Sequence, residues 1–571
     1  MASRGISRRS ETGRATRKSS LRPSSEVSAA PAGTRGGGAS REETLPIALA
    51  AVVLAFLALL ICYSRGYMLL YGDAVAHLGI ARRIVDSRNP GLVQLGGVWL
   101  PLSHIIMLPF ISKMTWWQNG MAGAWPSLLC YVMAAIGFFR LARRLLSPRW
   151  ALVATAFFAL NPNLLFLSTT AMTEPLFLAV ILWMTLLTLE CVAAMRRGSV
   201  GRARRLLIGV GLLIAAAVYT RYDGWILGAA VWCVLAWRLY KTRELWGKIG
   251  VSFAVFTLIA VAAPASWLAY NHHFYHDWLD FLRGPYSASA IEKRTSPPGS
   301  RHYRGWHNPG WALLFYTRTA QVDAAAWETG FPLMIAALAG LWSTVRRRLE
   351  LPALLLWVPL PFYVYSVAYG SVPIFIPQLY PHSFYNARYG MELLPALALF
   401  GAVAGERVQS RMESSAPLFA RLLFPASLSL AILNTVVMMY QVPLVLKEGI
   451  VNARTRVAFE SALARELTSL PPGVPILMST SDHIGALQQA GIPLKQVLNE
   501  SDYDSWRATL AAPAERAAYV IAMAGDPVSK ALAQNKDGLT ELTVLCTTGQ
   551  PCARVYRSDR FRPSGTEAPL H

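Results

Sequence analysis

The sequence predicts an α-helical polytopic membrane protein of about eleven transmembrane helices, carrying a small C-terminal extracytoplasmic α/β domain. Three observations predict this class. Of the 571 residues, 54% are hydrophobic and only 15% are charged, whereas an average soluble domain carries about a quarter charged residues. Apolar runs of membrane length recur with few or no charges inside them. Basic residues gather in short clusters between those runs rather than along one domain, so the net charge of +22 describes membrane orientation and headgroup attraction, not a nucleic-acid binder.

Residues 1–44 are rich in Ser, Gly and Arg and lack the apolar core and small-residue cleavage site of a secretory signal. They read as a disordered basic cytoplasmic tail, with 45–63 as an uncleaved signal anchor. At about 1.5 Å per residue, that run covers roughly 28 Å, close to the hydrocarbon thickness. Further spans are expected at about 121–139, 150–168, 174–193, 206–220, 224–239, 249–269, 330–345, 351–369, 389–405 and 419–441, with 99–116 as a partial or re-entrant helix. Arg140/Arg143/Arg144, Arg196/Arg197/Arg202/Arg204/Arg205, Arg238/Lys241/Arg243, Arg346/Arg347/Arg348 and Arg407/Arg411 then fall on the side of the tail, as the positive-inside rule requires. The opposite connections are nearly free of basic residues, Arg221 and Arg388 excepted. The loops 64–120 and 271–329, and everything from 442 to 571, are therefore expected outside the cytoplasm.

The chain changes character after 441. "VPILMST" and "AAYVIAMA" read as short buried strands, and "DHIGALQQAG" as a helix stopped by glycine. Cys546 and Cys552 flank "TTGQP" between "ELTVL" and "ARVYR", a hairpin whose cysteines suit a disulfide in an oxidising compartment. Cys62, Cys130, Cys191 and Cys233 lie in apolar spans and read as small core residues.

Ionisable groups at membrane depth are costly unless paired or facing water. Asp73 and His77 in "YGDAVAHLGIARRI", Glu174 in "AMTEPLF", Arg221-Tyr222-Asp223 in "TRYDGW" and Arg388-Tyr389 in "NARYGMELLP" all come out at one bilayer face, which suggests a shared polar cavity. Each also has a plainer reading. Asp73 suits a helix N-terminus, Glu174-Pro175 and Asp223 suit helix starts, His77 suits a structural hydrogen bond, and the arginines suit snorkelling to headgroups. His272, His273, His276 and Asp277 invite a metal reading but lack an HExxH-type spacing. No P-loop or GxGxxG signature is present.

"YGDAVAHLGIARRI", "TEPLF", "TRYDGW" and "ARYGMELLPALA" resemble the GT-C superfamily of membrane glycosyltransferases. The likeness is greatest to the bacterial family 39-like branch, akin to protein O-mannosyltransferases and the aminoarabinose transferases of lipid A. It covers roughly 45–441 in architecture. In that superfamily an acidic residue of the first extracytoplasmic loop is the catalytic base, and Asp73 matches it. Protein O-mannosyltransferases carry an Asp-Glu pair at this point, whereas Asp73 is followed by Ala74, which weakens the case for a protein acceptor.

The resemblance implies a hexosyl- or mannosyl-type enzyme that uses a polyprenyl-phosphate sugar donor. The sugar would pass, with inversion, to a hydroxyl of an unidentified protein, lipid or glycan on the extracytoplasmic face. It implies Asp73 as base, Arg221 and Arg388 against phosphate charge, and His77, Glu174, Tyr222, Asp223 and Tyr389 in substrate binding. No cofactor is assigned, and a divalent cation is left open. The alternatives are a transporter or flippase for lipid-linked saccharides, a non-catalytic binding scaffold, and an O-antigen ligase or polymerase.

Overall fold

The computed structural model describes residues 38–295, 299, 302–348 and 350–562, so the expected basic tail lies outside the described residues as far as residue 37. The first helix, α1 (Arg41–Ser64), begins slightly before its apolar run, because Ser40 and Glu43 form a capping box that satisfies the first backbone donors. An amphipathic helix, α2 (Gly72–Val85), follows, burying Val75, Leu78, Ala81 and Ile84 while Val85 is exposed. The stretch expected to be partial or re-entrant is three short helices, Leu102–Ile105, Leu108–Ile111 and Met114–Asn119.

The bundle comprises α3 (Met121–Leu145), α4 (Pro148–Ala159), α5 (Glu174–Arg196), α6 (Val200–Val218), α7 (Asp223–Lys241) and α8 (Trp246–Tyr275), then α9 (Pro309–Ala324), α10 (Gly330–Arg346), α11 (Pro359–Tyr369), α12 (Leu394–Ser415) and α13 (Pro417–Tyr440). The expected spans fall largely on helix. Expected span 150–168, however, is broken at 160–161 before a short helix, Pro162–Leu167, and 351–369 begins with the 3-10 stretch Leu351–Trp357. α9 lies inside the expected loop 271–329. Six stretches of the described residues are long and apolar enough to cross a membrane, or seven if the pair Pro309–Ala324 and Trp327–Arg346, bent by 115°, counts as one. Helices α4, α6, α10 and α12 miss for visible reasons. α4 has 12 residues and α10 has 17, α6 opens with Arg202, Arg204 and Arg205, and α12 closes with Glu406, Arg407, Arg411 and Glu413. α5 lies at the centre, 78% of its apolar window being buried, whereas α8 and α13 present most of theirs outward, as lipid-facing helices do.

After α13 comes α14 (Leu444–Ser469), whose Lys447, Glu448, Arg454, Arg456, Glu460, Arg465 and Glu466 mark it as non-spanning. The terminal sheet comprises β1 (Ile476–Met478), β2 (Val497–Leu498), β3 (Tyr519–Met523), β4 (Leu539–Leu545) and β5 (Ala553–Ser558), in the order β2-β1-β3-β5-β4. β1 pairs parallel with β2 and β3, and β5 pairs antiparallel with β3 and β4. The β4–β5 hairpin carries the Cys546–Cys552 disulfide. α15 (Ile484–Ala490) stops at Gly491, whose φ of +71° ends the helix in the left-handed region.

This domain is seated on α14 and the short helices. Gln488 donates to the Trp117 carbonyl at 2.5 Å, and Arg456 donates to the carbonyls of Leu69 and Leu70 at 2.9 and 3.1 Å. Arg456 also holds the buried Glu460 at 2.6 Å, beneath α15. Burial raises the Glu460 carboxyl from 4.5 to about 7, against the pull of Arg456. The folded chain therefore keeps a proton there that the unfolded chain gives up, so this group's contribution is full below about 4.5 and is lost as pH climbs through 7. Thermal unfolding at pH 5.5 and pH 8 should show Glu460→Gln gaining at pH 8, by up to roughly 3 kcal/mol, and a shallower pH dependence than wild type.

Candidate active site

The eight candidate residues come from four separated stretches of chain, and all of them line one cavity of about 1510 Å³. Asp73 and His77 stand one turn apart on α2, and Glu174 opens α5. Arg221 and Tyr222 occupy the turn between α6 and α7, with Asp223 the first residue of α7. That turn is tight: a Cβ on Gly224 would run into the Ala217 carbonyl. Arg388 and Tyr389 lie on the 3-10 turn Ala387–Leu393 that leads into α12. Here too a glycine is required, since a Cβ on Gly390 would meet the Asp323 carboxylate and the α9 backbone.

Two guanidinium groups hold the site together. Arg388 bonds Asp73 Oδ2 at 2.5 Å and Glu174 Oε1 at 3.2 Å, with Glu448 Oε1 at 3.9 Å. Arg221 reaches Glu392 at 3.0 Å, Glu174 Oε1 at 3.3 Å and Asp223 at 3.4 Å, and donates to Thr173 at 2.8 Å and the Tyr363 hydroxyl at 2.6 Å. One oxygen of Glu174 thus bridges both arginines. The Tyr389 ring lies within 5.1 Å of Arg221 and 4.9 Å of Arg388 and stacks on Tyr363. Tyr222 points away from this network, donating to the Val98 carbonyl and stacking on Phe281.

Five carboxylates therefore surround two arginines, and they are not equivalent. Glu174, Asp223, Glu392 and Glu448 are buried, whereas the Asp73 side chain is 43% exposed. Its Oδ2 is held by Arg388, while no described residue bonds its Oδ1. An anchored carboxylate with one free oxygen on a cavity wall can accept a proton from a bound hydroxyl. His77 bonds His104 at 2.8 Å through its Nδ1 and packs on Trp99, with ring centroids 4.4 Å apart.

The loop histidines lie elsewhere: His272 stacks on Trp278, and Asp277 pairs with Arg283. Among the described residues, no three His, Cys, Asp or Glu side chains come together as a metal-holding group.

A family model described as dolichyl-phosphate-mannose-protein mannosyltransferase matches residues 102–267. The solved structure of ArnT from Cupriavidus metallidurans bound to undecaprenyl phosphate superposes with a TM-score of 0.55 at 14% identity, covering 91% of this chain and 98% of that one. The chain therefore shares the fold of this ArnT. The apo structure of the same ArnT gives a TM-score of 0.52 at 15% identity, over 90% of this chain and 97% of that one. A curated relative, the undecaprenyl phosphate-alpha-4-amino-4-deoxy-L-arabinose arabinosyl transferase 2 of Proteus mirabilis (strain HI4320), is 24% identical over 336 residues. That match takes in 56% of this chain and 55% of the relative, so the chain spans about half the length of the curated relative it matches.

Within this site, sequence reasoning missed Glu392, Tyr363, Glu448, Tyr71 and His104. Glu392 carried a usable signal, an acid inside an apolar span. Tyr363 in "PFYVYSVAY" reads like any interfacial tyrosine. Glu448 stands outside the spans, where a carboxylate draws no notice, yet it accepts from the Tyr71 hydroxyl at 3.0 Å and the Ala387 amide at 3.0 Å.

Proposed function

We propose that this chain moves a sugar from a polyprenyl-phosphate donor to an acceptor hydroxyl at the extracytoplasmic face, with inversion at the anomeric carbon. The observation that carries the reading is the position of Asp73, exposed on the wall of a large cavity and anchored by Arg388. The fold shared with an ArnT that binds undecaprenyl phosphate supports a lipid-linked donor.

In this reading the acceptor O–H gives its proton to Asp73 as its oxygen attacks the anomeric carbon, and the sugar–phosphate bond breaks with its electron pair going to the phosphate. Arg221 and Arg388 supply positive charge near that phosphate. Glu174 and Asp223 act by holding those guanidinium groups, the only contacts among the described residues that join their carboxylates to the cavity's cations. Confining the donor to the bilayer supplies proximity. The N-terminus stands in the cytoplasm and the C-terminal domain outside it, on the charge asymmetry of the loops.

Transfer of radiolabelled sugar from a membrane lipid extract by the purified protein tests the reading. Label should leave the lipid fraction for a new product that names the acceptor class. Failure to transfer across several labelled polyprenyl-phosphate sugars contradicts it.

A further inference from the structure

His77 and His104 are 27 residues apart in sequence and form one buried pair, His77 Nδ1 lying 2.8 Å from His104 Nε2. One of these nitrogens must carry the shared proton. The far nitrogens differ. His104 is fully buried and its Nδ1 has no partner, whereas His77 Nε2 is neither bonded by a described residue nor among the buried unpartnered nitrogens, and its ring lines the cavity.

If His77 Nδ1 carried the shared proton, neutral His104 would have to place its own proton on Nδ1, stranding a buried N–H. If His104 Nε2 carries it, only a lone pair is left without a partner. Buried N–H groups without acceptors are the rarer defect in proteins. The second arrangement puts the His77 proton on Nε2, where it meets the cavity.

We infer that His104 is a positioning residue that fixes His77 in the Nε2–H tautomer, so that His77 presents a hydrogen-bond donor to a substrate oxygen beside the Asp73 carboxylate. This deepens the glycosyltransferase reading and rests on it. Burial holds the His77 imidazole down at about 4, against the pull of Asp73, so the ring is neutral and carries a single N–H at working pH. Trp99 packs against the ring and fixes its orientation. α2 therefore displays an acceptor at Asp73 and a donor one turn later. That pair suits a substrate presenting a hydroxyl to the first and a phosphoryl or sugar oxygen to the second.

The test compares His104→Leu with His104→Gln in the full-length protein in nanodiscs. A glutamine amide can place an N–H close to where His104 Nε2 stands, and leucine cannot. Transfer should fall about tenfold in kcat for His104→Leu, the worth of one neutral hydrogen bond, while His104→Gln keeps at least about a third of wild-type activity. Equal losses in two variants that both elute as folded protein overturn the inference, as does wild-type kcat in His104→Leu. Undecaprenyl phosphate binding separates the two substrate oxygens: weaker binding by His104→Leu assigns the phosphoryl oxygen, and unchanged binding with lower kcat assigns a sugar oxygen. 15N-histidine NMR reads the tautomer without any turnover. A protonated Nε2 at His77, assigned by loss of its signal in His77→Gln, supports the inference even if the transferase reading fails, and a protonated Nδ1 overturns it.

Discussion

Asp73→Asn is expected to abolish sugar transfer, lowering kcat by at least about 100-fold, within the range for loss of a general base, while the protein stays folded. Asparagine keeps the volume of the side chain, and its amide oxygen can still accept from Arg388, so the contact at 2.5 Å survives in neutral form. The lost property is the capacity to take the acceptor's proton. KM for the lipid-linked donor should move little, because the phosphate is served by the arginines and not by Asp73. Steady-state transfer by wild type and variant at matched amounts, with size-exclusion profiles as the folding control, checks both expectations. A variant that transfers at the wild-type rate would make Asp73 an anchor for Arg388 and nothing more.

Arg221→Met is expected to destabilise the chain by about 3–5 kcal/mol, the cost of breaking a buried ion pair by removing one partner. Arg221 is the cation shared by Glu174, Asp223 and Glu392, all buried. Methionine fills much of the volume but leaves that cluster without its nearest positive charge. Arg388 alone would then face Glu174, Asp73 and Glu448. Adding Glu392→Gln to Arg221→Met should recover part of the loss, since one stranded carboxylate is neutralised. Thermal unfolding of the detergent-solubilised proteins reads all three, and a double variant no more stable than Arg221→Met would show that the cluster is not the source of the penalty. Activity should be lost in both variants.

Much of the architecture was legible because lipid imposes simple demands. Apolar runs marked the helices of the bundle except α9 (Pro309–Ala324), which lies inside the expected loop 271–329, although length and apolarity alone qualify six or seven stretches as spans. The shortfall arises where helices are buried inside the bundle, as with α4, and need not be long, or where arginines occupy the first turns, as in α6. The terminal sheet was legible from "VPILMST", "AAYVIAMA" and the cysteine-flanked hairpin, which form β1, β3 and β4–β5. β2 was not, since two residues leave no period to read.

The gathering of the site was legible from sidedness: charged residues at span ends on one face have only one place to meet. Their partners were not. Arg388 reaches Asp73 across 315 positions and Tyr363 reaches Glu392 across 29, and such approaches are set by how the helices pack. Position near a helix start did not separate Asp73 from Glu174, and only the family resemblance singled out Asp73. Their exposure separates them, at 43% for the first side chain and none for the second.

The most direct test follows the fate of the donor lipid. Wild-type protein in proteoliposomes, given a labelled undecaprenyl-phosphate sugar and a crude envelope acceptor fraction, should release free undecaprenyl phosphate in step with label appearing on the acceptor, as read by mass spectrometry of the lipid fraction. If the donor instead crosses the bilayer with its sugar–phosphate bond intact, the cavity is a transport path and the glycosyltransferase account fails.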